Sequence, residues 1–151
     1  KRLGKSLAEF VDISLAPCQM FVTDNEIKLM IWYIIGISIE AYRSLSITKD
    51  ALYNINKEYL LSIGIEKKIT MITLSAFKSE NIKEIELRYL ESGIKDYKDW
   101  IDKSTVSEPD KLKRLLWSDR RKGNIDSESE RNDQFIKSCV DLLSQYGVKK
   151  V

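Results

Sequence analysis

Two groups of side chains in this sequence have types and spacings suited to chemistry or recognition. The first is basic. Six positive residues and one negative, Asp119, lie between Lys111 and Lys122. At 100° per residue, Leu112, Leu115 and Leu116 share one side of a helix, while Lys113 aligns with Arg120 and Arg114 with Arg121. Trp117 projects between these rows, away from the leucines. Arginine makes bidentate contacts to phosphate or carboxylate, and an indole stacks on bases. The same residue types dominate the hot spots of protein interfaces. Lys113, Arg114, Trp117, Arg120 and Arg121 therefore form a candidate basic face. The competing structural reading packs Trp117 under a neighbouring helix and leaves the charges solvated.

The second group is acidic. Glu80, Glu84, Glu91 and Asp102 fall within about 40° of one another if residues 81–103 and their approach are helical. Paired carboxylates on one face can bind a metal or do acid–base work. Yet Glu84 and Arg88, Glu91 and Lys95, and Asp99 and Lys103 are i, i+4 pairs in the favoured acid-first order, which marks a solvated helix surface. Asp126, Glu128 and Glu130 make a further acidic stretch, suited to the positive end of a final helix or to docking a basic partner. The candidate acidic face is Glu80, Glu84, Glu91, Asp126, Glu128 and Glu130.

Composition removes other mechanisms. With no His there is no Cys–His or Ser–His pair and no imidazole metal ligand. Two cysteines, Cys18 and Cys139, are too few for a structural zinc site or a disulfide framework, and they read as reduced core residues. The glycines are scattered, so no phosphate-binding loop or serine elbow appears. The expectation is a non-catalytic chain without metal or cofactor. No segment carries a motif that names a family.

These groups need a scaffold, and the apolar spacing is helical almost throughout. Leu3, Leu7, Phe10 and Val11 open a first segment, ended by Pro17. Thr23-Asp24-Asn25-Glu26 is a capping box. It leads into a run that is apolar nearly all round, which predicts a buried central helix over about residues 24–45. Thr48 caps a third helix with a stripe of Leu52, Ile55 and Tyr59, stopped at Gly64. Ile69 to Phe77 suits strand or helix, and the spacing of Ile69, Ile72 and Ala76 favours helix. Leu87, Leu90, Ile94, Tyr97 and Ile101 form a short heptad-like seam over about 81–103, either intramolecular or at a dimer contact. Ser107-Glu108-Pro109 opens a helix that ends at Gly123, and Phe135, Cys139, Leu142, Leu143 and Tyr146 mark a last one.

A single all-α domain over residues 1–151 is the expected fold, an irregular bundle of six or seven helices. The most apolar stretch, Leu29 to Ile39, is shorter than the roughly 20 residues a membrane span requires. The basic start is followed by Glu9 and Asp12 rather than an apolar run, so no leader is expected and the cytoplasm is the expected location. Abundant Ile and Lys suggest an AT-rich bacterial genome.

The function this favours is a protein-binding module, most concretely a bacterial immunity or antitoxin-like inhibitor that occludes a toxin. An acidic face would complement a nuclease toxin's basic site. The alternative is a nucleic-acid-associated regulator using the basic face of residues 111–122. The net charge of +2 weighs against it, because such domains are strongly basic.

Overall fold

The structure, a computed structural model, describes residues 23–103, 111–123 and 125. Among the described residues there are five α-helices and no strand. They are α1 (Asp24–Ala41), α2 (Lys49–Ser62), α3 (Lys67–Lys78), α4 (Glu84–Lys103) and α5 (Lys111–Lys122), with a 3-10 turn at Arg43–Leu45. The chain is therefore mostly helical where described. The expected first segment, Pro17, both cysteines, the Ser107 cap and the last helix lie outside the described residues.

Helix α1 starts where the capping box dictates. The Glu26 N–H donates to Thr23 Oγ1 (3.2 Å), and the Thr23 N–H donates to Glu26 Oε1 (3.3 Å). Every position from Leu29 to Ile39 is buried. Isoleucine costs a few tenths of a kcal/mol in helix propensity, whereas burying each such side chain contributes roughly 1.5–3 kcal/mol, so burial decides. The helix ends at Ala41, short of the expected residue 45. Tyr42 leaves helical geometry, and Ser46 turns the chain from the left-handed region (φ 50°).

Thr48 caps α2 through a bond from the Ala51 N–H (3.1 Å). The buried stripe runs Leu52, Asn56, Leu60, with Ile55 and Tyr59 only half-buried beside it. Asn56 Nδ2 donates to Ser38 Oγ (2.9 Å), a polar tie from α2 to α1 inside the core. Gly64, at φ 92°, closes α2 with paired bonds from the Gly64 N–H to Leu61 O and from the Ile65 N–H to Leu60 O.

The ambiguous run is helical as α3. Thr73 returns its hydroxyl to Ile69 O (2.9 Å), while Ile69, Leu74 and Phe77 are buried. Phe77 meets the edge of Trp32 on α1 with ring centroids 6.2 Å apart. Helices α2 and α3 form an antiparallel hairpin, with Asp50 beside Lys78 (2.9 Å) and Tyr53 beside Met71.

Helix α4 starts three residues later than Asn81. The intervening chain repeats the closure seen at Gly64. The Glu80 N–H donates to Phe77 O and the Asn81 N–H to Ala76 O, with Glu80 itself left-handed at φ 60°. Glu86 then reaches back to accept from the Lys83 N–H (2.8 Å) at the new helix start. Leu87, Leu90, Ile94 and Tyr97 of the seam are buried, and Ile101 is 44% exposed.

The seam packs against α1, and the two helices run in the same direction. Asn25 and Leu29 share a cleft with Ile85, and Ala41 shares another with Tyr97 and Ile101. Between these ends the helices cross through glycine. A Cβ on Gly36 would lie 2.0 Å from Leu90 O, and one on Gly93 would lie 2.1 Å from Tyr33 O. The backbones touch, with no side chain between them.

Candidate functional site

Helix α5 packs through Leu112 and Leu116, both buried, and is antiparallel to α4: Leu115 shares a cleft with Lys95 and Asp99, while Asp119 reaches Arg88 and Tyr89. Asp119, the one acid in the basic run, is on the leucine side and buried. Its Oδ2 accepts from the buried Tyr89 hydroxyl (2.8 Å) and its Oδ1 from Arg88 NH2 (3.2 Å). Burial, and then the bond to Asp119, push the Tyr89 phenol far above its ordinary value.

The next residue also turns inward. Arg120 grips Glu26 with both ends of the fork, Nε to Oε2 (2.5 Å) and NH2 to Oε1 (2.6 Å). That bond holds the Arg120 guanidinium above its usual range. Glu26, whose side chain is only 7% exposed, thus caps α1 and anchors α5 at once. The geometry is bidentate and charge-assisted, the strong form of an ion pair.

The basic face is therefore divided. Arg120, expected on it, is half-buried and turned toward α1, because Glu26 offers a buried carboxylate at the adjoining helix start. Arg114, Trp117 and Arg121 are exposed on the side opposite Leu112 and Leu116, with Trp117 48% exposed. The helical position of Lys113 is described, its side chain is not.

The described acids, Glu80, Glu84 and Glu91, do not share one helix face. Glu80 sits in the turn before α4, so its expected angle on that helix does not exist. Its carboxylate pairs with the buried Lys49 ammonium, which also donates to Lys78 O (3.3 Å). Glu84 and Glu91 are exposed on α4 but alternate with exposed Arg88 and Lys95. Glu91 lines the cleft between α4 and α5, where partial burial raises its carboxyl above the usual range. Asp126, Glu128 and Glu130 lie outside the described residues. Among the described residues, no group of three or more acidic or sulfur ligands could hold a metal ion.

A feature the sequence reading missed lies at the other end of α1. A cleft of about 540 Å³ opens between the last turns of α1 and α4, lined by Glu40, Ala41, Arg43, Tyr97, Ile101 and Asp102 among others. The Glu40 side chain is 10% exposed, with Oε1 3.6 Å from Arg43 NH1. Its Oε2 is buried and has no hydrogen-bond partner among the described residues. The Tyr97 phenol is pushed up to about 12 by burial, then by Tyr42 and Glu40. The signal for this site was a lone acid near the end of an otherwise apolar helix, which periodicity alone does not distinguish from a solvated residue.

Comparison of the chain with family models, curated proteins and solved structures gives no match. No helix among the described residues is long and apolar enough to cross a membrane.

Proposed function

We propose that this chain is a non-catalytic protein-binding module, an immunity or antitoxin-like inhibitor that occludes a partner by docking α5 onto an acidic face. The observation that carries this reading is the outer side of α5, where Trp117 stands half-exposed between Arg114 and Arg121. An indole flanked by arginines is the residue set that concentrates binding energy in interfaces, and the cations select an acidic partner. Glu80 is engaged by Lys49, and Glu84 and Glu91 are interleaved with cations, so among the described residues α5 serves better than these acids. The buried ionisable groups support a structural role, because Glu26 with Arg120 and Asp119 with Arg88 neutralise one another.

The test is affinity capture from a bacterial lysate at about 0.15 M salt, where long-range charge effects are damped, with wild type and the double variant Arg114→Glu/Arg121→Glu in parallel. One acidic protein should be retained by the wild type, lost by the variant, and lose its own activity when the purified chain is added. Capture that the double reversal leaves unchanged overturns the reading. So does binding of a duplex or single-stranded oligonucleotide that falls steeply with salt, which would assign the face to nucleic acid instead.

A further inference from the structure

We infer that the cleft at the carboxyl ends of α1 and α4 is a binding site for a protonated aliphatic amine, with Glu40 as its anionic anchor. This inference stands on different residues from the α5 face and does not rest on it. Four observations carry it. The volume, about 540 Å³, falls within the range of small-molecule sites. Glu40 has a buried oxygen with no donor among the described residues, which is costly unless a donor arrives. The parallel packing brings the negative ends of two helix dipoles to one place, and the last turn of α1 carries no basic residue. Ala41, Tyr97 and the exposed Ile101 supply an apolar wall for an alkyl stem.

The chemistry selects an ammonium over other cations. A divalent metal requires several converging oxygens, and the described residues provide no such group. A guanidinium already stands at the rim, and Arg43 remains 3.6 Å from Oε1, half-exposed and beyond hydrogen-bond distance. A compact ammonium carries three donors on a narrow stem and can follow the apolar wall to the carboxylate. The terminal torsion of glutamate is broad, so turning the carboxylate presents Oε2 to the incoming donor. Exposed Asp102 is a second acid in the lining, and the lining cations Lys98 and Arg43 are both exposed. The raised Tyr97 phenol is consistent with this field, since Glu40 is among its causes.

An amine of this kind is either a free alkylamine or the lysine side chain of another protein. Isotope-labelled full-length chain is titrated with n-pentylamine, with acetyl-lysine methylamide, and with neutral n-pentanol, while amide shifts are followed by NMR. Saturable shifts confined to residues 40–44 and 97–102 are expected with the amines and not with pentanol. Glu40→Gln, which keeps the shape, should weaken binding about tenfold. Arg43→Ala, which removes the competing cation, should tighten it about twofold to fivefold. The second variant reads in the opposite direction, so the test does not hang on the folding of the first. Pentylamine binding without the lysine derivative assigns a free amine, and binding of the lysine derivative as tightly or more so assigns a protein lysine. Equal shifts with pentanol, unchanged affinity in Glu40→Gln, or no saturation by about 50 mM amine overturn the inference.

Discussion

Helix α1 carries a glutamate near each end, and the two are treated in opposite ways. Glu26, in the first turn, accepts from the Thr23 N–H and from both ends of the Arg120 fork. Among the described residues, Glu40, in the last turn, has one cation at 3.6 Å and one oxygen with no partner. The same side chain on the same helix is a fastening at one end and an unsatisfied acceptor at the other. Part of the difference is the helix itself. A carboxylate is favoured at the positive amino end and disfavoured at the negative carboxyl end. Glu26 gains from its position, whereas Glu40 sits where a cation is wanted and a carboxylate is not. A helix end that fastens a second helix reads as architecture. A helix end with a desolvated acid facing a cleft reads as a place for something else to bind.

The largest expected effect breaks the fastened end. Arg120→Ala leaves Glu26 buried without its cation, and urea unfolding should report a loss of about 3 kcal/mol. A loss near zero would remove Glu26 from the architecture and erase the contrast.

The adjoining Tyr89 gives a pH signature of the same end. Above pH 10 an unfolded phenol loses its proton, while folded Tyr89 keeps its own. The folded state then binds more protons, so stability falls as pH rises, by up to about 1.4 kcal/mol per pH unit for each such phenol. Tyr97, raised to about 12, adds to this between those limits. Unfolding midpoints measured from pH 9 to 11 should decline, and Tyr89→Phe should flatten the decline. A wild-type profile level across that range would contradict the burial of both hydroxyls.

The smallest effect belongs to the unfastened end. Glu40→Gln should raise stability modestly, by about 0.5–1 kcal/mol, because it removes a desolvated negative charge from the carboxyl end of α1. A loss as large as that of Arg120→Ala, in the same urea experiment, would make the two ends alike.

Much of the framework was legible along the chain. Capping at Thr23 and Thr48, the stop at Gly64 and the apolar seam of α4 are local devices, and local spacing records them. The α4 boundary was not, because Glu80 takes the left-handed closing position that glycine usually fills, and its pairing with Lys49 depends on a residue 31 positions away. The basic run illustrates both cases. Asp119 falls on the leucine side of the wheel, a sign of a buried partner that the spacing already contained. The inward turn of Arg120 carried no such sign, since its partner Glu26 lies 94 positions earlier in the chain. Gly36 and Gly93 are similar: scattered as letters, they meet only once α1 and α4 are packed.

That meeting fixes how the two helices can be aligned. One turn either side of Gly36 stand Trp32 and Glu40, and one turn either side of Gly93 stand Tyr89 and Tyr97. A slip of about 5.4 Å along the shared axis would wedge one of these large side chains into a contact that has room for a hydrogen atom. The pair is keyed to a single register, and that register brings Tyr97 and Ile101 of α4 beside Ala41 at the end of α1.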